Sequence, residues 1–520
     1  MKNNNGSQVV NRIIGSVLSL LLFLCILMIY SANYLLNSWG ELSFATVLYQ
    51  LLSPLKGTNQ EIIIQYIQMA LLPSIMLTGI IIILWYFIFH VLILLQFKVR
   101  GVLFGHNIYF CLSGLNIKKN AKKLKNAIGL AIIAVIAIVL MERAKKIGLF
   151  EYLNNIANRS IIFEEEYANP DNTLIQFNEK KKNLIYIYLE SMESTYADKK
   201  SGGQKETNYI PNLTQIAEEN ISFSDNDKNG GLLSASGTGW TMAAILGSSS
   251  GVPYKLPIGG NAAGDYMTFL PGLICLGDIL QDYGYTNYFM CGSQIAFGGR
   301  ESFLAQHGNY EIYDYDTAIA DQYISKDYYE FWGFEDKKLY EYAKIKLNKI
   351  ANKGDNFNFT LLTVDTHHPE GYICEICSDI YEEQYGNVIS CADRQIKSFL
   401  DWAKEQSWYD NTVIVIIGDH TSMNNTFFED VEKRTIYNCI INSNTPVEGQ
   451  VKNRQACILD MFPTTLAAMG AKIEGNRLGM GTNLFSDRQT LIEEMGIAEF
   501  NSQISRYSKY YNDRFIKGGR

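Results

Sequence analysis

Along the chain the apolar positions change rhythm once, and the change divides the molecule. Through the first 141 residues they form nearly unbroken runs; from residue 183 onward they form short β-rich runs separated by amphipathic stretches. Residues 13 to 30 carry no charge over close to the ~20 residues that a helix needs to cross a bilayer. A second run, 66 to 96, has Pro73 near its start and aromatic residues toward its far end. A third, 126 to 141, is shorter and also fits a packed helix. The pattern predicts about three transmembrane helices. The stretch 41 to 57 is too short to span and reads as lying on the outer membrane surface.

Flanking charge orients the spans. Lys98, Arg100, Lys118, Lys119, Lys122, Lys123 and Lys125 lie between the second and third, whereas residues 31 to 65 hold only Lys56. Positive loops stay inside, so the Lys-rich connection and the amino terminus are cytoplasmic, and three crossings carry everything after about 142 outside. Arg143, Lys145 and Lys146 oppose this and are outnumbered. The first run is too long, and lacks the small-residue site, for a cleaved signal peptide.

The expected organisation is a transmembrane helical domain (1–141), a linker (142–180), an extracytoplasmic α/β catalytic domain (181–490) and a C-terminal tail (491–520). Short apolar β runs alternating with amphipathic stretches are the mark of a parallel sheet covered by helices. Mean hydropathy is −0.04 only because an apolar first part averages against a polar remainder. Net charge is −8, and no Lys/Arg stripe is interleaved with aromatics, which argues against a nucleic-acid partner.

Three strand-like runs end in groups that bind cations or move protons. "NLIYIYLES" (183–191) ends in Glu190, "FNFTLLTVDTHHP" (357–369) in His367 and His368, and "TVIVIIGDH" (412–420) in Asp419 and His420. Open α/β sheets bind ligands beyond the carboxyl ends of their strands, so these side chains converge if the strands are neighbours. Singly, each ending is ordinary: a carboxylate starts helices, and Asp-His occurs in turns. Together, hard oxygen ligands and one imidazole suit a single divalent cation, Mn²⁺ or Mg²⁺. The outer part holds only His307, His367, His368 and His420, too few for a histidine-rich two-zinc centre. In "GGLLSASGTGWTMAAILGSSSGVP" (230–253), Met242, Ile245 and Leu246 have helical spacing after small turn residues. A helix is expected from near Thr238, whose hydroxyl then sits among free N–H groups that favour an anion. An ordinary N-cap threonine gives the same pattern.

In order, "NLIYIYLES", "PNLTQIAEENISFSD", "SGTGWTMAAI", "TVDTHHPEGY", "VIVIIGDH" and "LDMFPTTLAAMG" resemble the membrane phosphoglycerol transferases. These include the enzymes that decorate periplasmic glucans and, more distantly, the lipoteichoic acid synthases. The resemblance covers about residues 180 to 486 and implies a sulfatase-like domain of the alkaline phosphatase superfamily. It implies that Glu190, Thr238, Asp419 and His420 hold one divalent cation, Mn²⁺ first and Mg²⁺ second, with Thr238 also the nucleophile. His367 matches a histidine that contacts phosphate or glycerol, and Arg300, in "GSQIAFGGRESF", a basic substrate contact. Where the lipoteichoic type has His, Asp and Trp before that arginine, this chain has Cys291, Ser293 and Gly298, so the glucan-modifying branch is closer.

The implied activity is transfer of phosphoglycerol from phosphatidylglycerol to an envelope glycan or glycolipid, through a covalent threonine ester. The implied location is the bacterial inner (plasma) membrane, with the catalytic domain on the periplasmic or extracellular side. A phosphoethanolamine transferase, a phospholipid headgroup hydrolase and a non-catalytic membrane sensor are the alternatives. A formylglycine sulfatase is excluded, because none of the ten prolines lies in a Cys/Ser-x-Pro-x-Arg context. Seven of the nine cysteines lie after residue 142. "CEIC" (374–377) has no second cysteine pair at zinc spacing, so a disulfide from Cys374 or Cys377 to Cys391 is expected, with free buried thiols as the alternative.

Overall fold

The computed structural model describes the chain except residues 1–3, 40–43, 53–59, 93–96, 104–105, 113–116, 172–173, 178–180, 256–268, 425, 429–430, 432 and 520. It divides into two compact units, Met1–Leu42 with Gln60–Phe150, and Ser43–Asn59 with Glu151–Arg520.

In the first unit, three helical stretches are long and apolar enough to cross a membrane: Arg12–Ser38, Ile62–Phe89 and Lys123–Lys146. Pro73 falls in the first turn of the helix Leu72–Tyr86, where its missing N–H is no loss, and the preceding turn Ile67–Leu71 is π-helical. Ser74 and Thr78 donate back to Ala70 O (2.6 Å) and Ser74 O (2.7 Å), so neither hydroxyl is left unsatisfied in an apolar setting. The Lys-rich connection contains an antiparallel pair, Phe97–Leu103 with His106–Leu112.

The second unit is built on a six-stranded sheet. Its strands are β1 (Asn183–Leu189), β2 (Thr286–Cys291), β3 (Glu311–Tyr313), β4 (Phe357–Leu362), β5 (Thr412–Gly418) and β6 (Asn438–Ile441). They lie in the order β6-β5-β1-β4-β2-β3, all parallel except β6, which runs antiparallel to β5. Every residue of β1, β4 and β5 is buried, as the continuous β-branched and aromatic runs require of strands covered on both faces.

Alternation along each strand builds two cores. Leu184, Tyr186 and Tyr188 of β1, with Val413, Val415 and Ile417 of β5, pack with α1 (Thr241–Ser250) and a later helix, Met461–Ala468. Ile185, Ile187 and Leu189, with Ile414 and Ile416, face α2 (Asp336–Ala351) and α3 (Gln384–Lys404). The result is helix, sheet, helix in three layers. Tyr188 and Ser248 share a hydrogen bond of 2.7 Å that fixes α1 against β1 close to the strand's carboxyl end.

The segment expected as linker, from Glu151 onward, and the tail pack into this unit. Phe163 and Ile175 are fully buried, Ile175–Phe177 pairs with Ala471–Ile473, and Phe163 meets Tyr511 and Phe515 ring to ring. Short apolar clusters in a polar background carry too little period to announce this. Phe359, in β4, has no exposed surface. Phe359→Ala should therefore cost about 3–5 kcal/mol, read as a lowered thermal midpoint of the solubilised chain.

Candidate active site

β1 is in register with both of its neighbours, Leu189 opposite Gly418 and Tyr188 opposite Leu362. Glu190, Asp419 and the turn beginning at Thr363 therefore leave the sheet side by side. Gly418 allows the approach: a Cβ there would lie 1.8 Å from Met192 O. A strand that must end against its neighbour's backbone needs glycine before the aspartate.

Glu190, Asp419 and His420 offer one ligand atom each within 4.8 Å of one another, and all three are buried. Asp419 Oδ1 accepts from the N–H groups of Ser191 (2.7 Å) and His420 (2.8 Å). Its Oδ2 has no hydrogen-bond partner and lies 3.4 Å from His420 Nε2, which is 3.5 Å from Glu190 Oε1. His420 donates from Nδ1 to Thr421 O (2.9 Å), which leaves the Nε2 lone pair facing the carboxylates. Ser191, at φ +52°, donates its hydroxyl to Glu190 Oε1 (2.7 Å). A non-glycine residue in that backbone region is strained, and here the strain turns the chain so that its side chain braces the carboxylate.

Burial, and then the charge of Glu190, pushes the Asp419 carboxyl up to about 7. For Glu190 burial opposes ionisation, but His420 and His367 outweigh it and lower its pKa. Burial likewise opposes a charged His420, and Asp419 and Glu190 outweigh it. An orphaned carboxylate oxygen, a second carboxylate and an imidazole lone pair aimed at one point are the donor set a single divalent cation requires.

The resemblance placed a fourth ligand at Thr238, and the structure does not bring that hydroxyl to the group. α1 begins three residues later than expected, at Thr241, with Trp240 in extended conformation before it. Thr238 donates to Ala235 O (2.8 Å), and its methyl group would stand 3.2 Å from a Cβ on Gly247. Thr241 instead donates to Glu190 Oε2 at 3.3 Å, from the first turn of a helix with no side-chain cap. The sequence reading missed it because "GTGWT" offers two threonines and the small residues before Trp240 carry no period.

His367 is half-buried beside Trp332, ring centroids 5.0 Å apart, and its Nδ1 donates to His368 O (2.8 Å). Burial lowers its pKa below 6.5 against the pull of Glu190. Trp332 also meets Phe297 at 5.1 Å. Arg300 is buried behind Phe297, donating to Phe297 O (3.1 Å), Ser293 Oγ (2.9 Å) and Gln294 O (2.9 Å). The guanidinium thus braces the loop that bears Phe297. A further support had no signal in the sequence. The buried Glu193 carboxylate pairs with Arg434 and accepts from Ser422 N–H (2.8 Å), holding the turn after His420.

The sulfatase family model matches residues 182–471, more than half of the chain. The chain belongs to the sulfatase family. Among its relatives, the phosphoglycerol transferase I of Escherichia coli O127:H6 is 32% identical over 335 residues, covering 62% of this chain and 41% of that protein. The chain thus spans about two fifths of the length of the curated relatives it matches. Two solved structures are similar at lower identity. The lipoteichoic acid synthase LtaP of Listeria monocytogenes has 20% identity and a TM-score of 0.44, over 59% of this chain and 77% of that one. The phosphoethanolamine transferase EptA of Neisseria meningitidis has 12% identity and a TM-score of 0.49, over 87% and 84%.

Two outcomes follow from this geometry. Mn²⁺ should raise the thermal midpoint of the native chain, by the equivalent of about 2.7 kcal/mol at a hundred times its dissociation constant, and Asp419→Asn should abolish the rise. Arg434→Ala, which strands the buried Glu193 charge, should cost about 3–5 kcal/mol in denaturant unfolding.

Proposed function

We propose that this sulfatase-family protein transfers a phosphoglycerol group from phosphatidylglycerol to a glycan or glycolipid of the cell envelope. We read it as a multi-pass protein of the bacterial inner membrane, with the α/β unit on the outer side. The observation that carries the activity is the Thr241 hydroxyl, held on Glu190 at the open N-terminus of α1 beside the Asp419–His420 pair. The relative named phosphoglycerol transferase I supports the choice of group. The missing formylglycine context argues against sulfate-ester hydrolysis despite the family.

Glu190, Asp419 and His420 would hold one divalent cation, Mn²⁺. When bound, the cation supplies Lewis-acid stabilisation of negative charge on the transferred phosphoryl group and favours an ionised hydroxyl. Thr241 Oγ1 attacks phosphorus, and the bond from phosphorus to the diacylglycerol oxygen breaks. The proton released by Thr241 passes through the neutral His367 ring to that oxygen; burial lowers the ring's pKa, so it holds the proton only in transit. The group now sits on Thr241 as a phosphodiester. In the second half an acceptor hydroxyl attacks phosphorus, its proton passes through His367 to Thr241 Oγ1, and that oxygen leaves. The first-turn N–H groups of α1 are oriented toward negative charge at its start. Arg300, behind Phe297 and Trp332, keeps the opposite wall in place for the glycerol moiety.

The deciding experiment compares two threonines in the solubilised chain with Mn²⁺ and labelled phosphatidylglycerol. Thr241→Ala should stay folded and lose turnover by orders of magnitude. Thr238→Ala should keep turnover and lose about 1 kcal/mol of stability, the value of its hydrogen bond. With native protein, fragmentation should place a phosphoglycerol adduct on Thr241. Substantial turnover by Thr241→Ala would overturn the mechanism, and preference for phosphatidylethanolamine would overturn the choice of group.

A further inference from the structure

The segment that follows His368 holds a second group of metal-binding side chains. Cys374 and Cys377 lie on a turn closed by Cys377 N–H to Cys374 O (3.0 Å), and Cys391 lies about two turns into α3. Their sulfurs come within 4.8 Å of one another, Cys374 to Cys377 at 3.5 Å and Cys374 to Cys391 at 3.8 Å. Four ligands at a Zn–S distance of ~2.3 Å in a tetrahedron stand about 3.8 Å apart. A sulfur joined by a disulfide stands at ~2.05 Å from one partner and holds the third thiol at van der Waals distance.

Gln395 follows Cys391 by four residues, so both point from one face of α3. It is 7% exposed, and its amide reaches Cys391 Sγ (3.6 Å) and Cys374 Sγ (4.0 Å), while its Oε1 has no partner. Turning the amide over puts the oxygen where the nitrogen now sits. In a tetrahedron with Zn–O of ~2.1 Å, oxygen and sulfur lie about 3.6 Å apart. Elsewhere, Cys275, Asp278 and His307 also cluster, but both ring nitrogens of His307 are taken, at 3.2 Å from Asp278 Oδ2 and 2.9 Å from Phe269 O.

We propose that Cys374, Cys377 and Cys391 bind a structural Zn²⁺ ion, with the Gln395 side-chain oxygen as fourth ligand. The sequence expectation of a disulfide here is thereby replaced, since "CEIC" finds its third sulfur not in a second pair but on a helix. The stretch from Pro369 to Glu383 forms no helix or strand, and Ile373, Ile376 and Ile380 are exposed, so it gains little from apolar burial. The ion would pin it to α3.

The test uses the full chain in detergent, with Glu190→Gln and Asp419→Asn to silence the other site. Elemental mass spectrometry should find one zinc per chain, and adding Cys391→Ser should remove it; Gln395→Ala should weaken retention against a chelator about tenfold. For the unsubstituted chain, which sidesteps any misfolding variant, Co²⁺ exchange should give thiolate-to-cobalt charge-transfer absorption. A disulfide between any two of the three cysteines in non-reducing peptide maps, or neither zinc nor a cobalt–thiolate band, would overturn the proposal. Neither result bears on phosphoglycerol transfer, because the site and the readout are separate.

Discussion

The structure depends on putting two carboxylates where water cannot reach them. Glu190 and Asp419 leave adjacent parallel strands in register, at the point where Gly418 lets the Glu190–Met192 turn close over β5. An ionised carboxylate in such a place is costly unless each oxygen has a partner. Backbone N–H groups satisfy one oxygen of Asp419, and Ser191 and Thr241 satisfy those of Glu190. Asp419 Oδ2 is left over, and a cation is the partner that resolves it. The strained Ser191 backbone and the glycine before Asp419 make sense only as devices that hold this arrangement closed.

Around that point each layer of the fold contributes one kind of group. The sheet contributes anions and an imidazole from its carboxyl edge. One helical layer contributes α1, whose start lies over Glu190 because Tyr188, two residues before it on the strand, is bonded to Ser248 two turns along the helix. The loops beyond β2, β3 and β4 contribute aromatic rings and an imidazole, through Phe297, Trp332 and His367. Carboxylates, a helix start and an imidazole thus come from three parts of the fold.

The sequence made the strands legible because a strand buried on both faces must be apolar throughout, and the ends legible because polarity there is abrupt. Glu190, Asp419, His420 and His367 stand at such ends. The start of α1 was not legible. A helix start is marked by one residue's backbone conformation, and between Ser236 and Thr241 two threonines, two glycines and a serine satisfy the local rules equally. Trp240 decides it by burying its ring against Tyr254 in extended conformation, a tertiary contact no local rule contains. The Glu193–Arg434 pair is separated by more than two hundred residues and carries no spacing signal. The packed linker and tail escaped for a related reason, since single buried aromatics such as Phe163 and Phe515 look like any surface phenylalanine until the chain folds.

The segment from Thr363 to Cys391 shows how the parts constrain one another. Its first residues are clamped by Asp336, whose carboxylate accepts from the N–H groups of Val364 (2.8 Å) and Asp365 (3.0 Å). Burial raises that carboxyl to about 7 and Asp365 well above its ordinary value, so the pair resists carrying two negative charges. Thr366 then bonds Glu190 O, which locks the turn to the carboxylate it serves. His367 comes next, followed by an excursion without regular structure that ends at α3. The three cysteines lie on the far side, joining the excursion to the helix. His367 thus lies in the chain between the Asp336 clamp and the cysteine cluster.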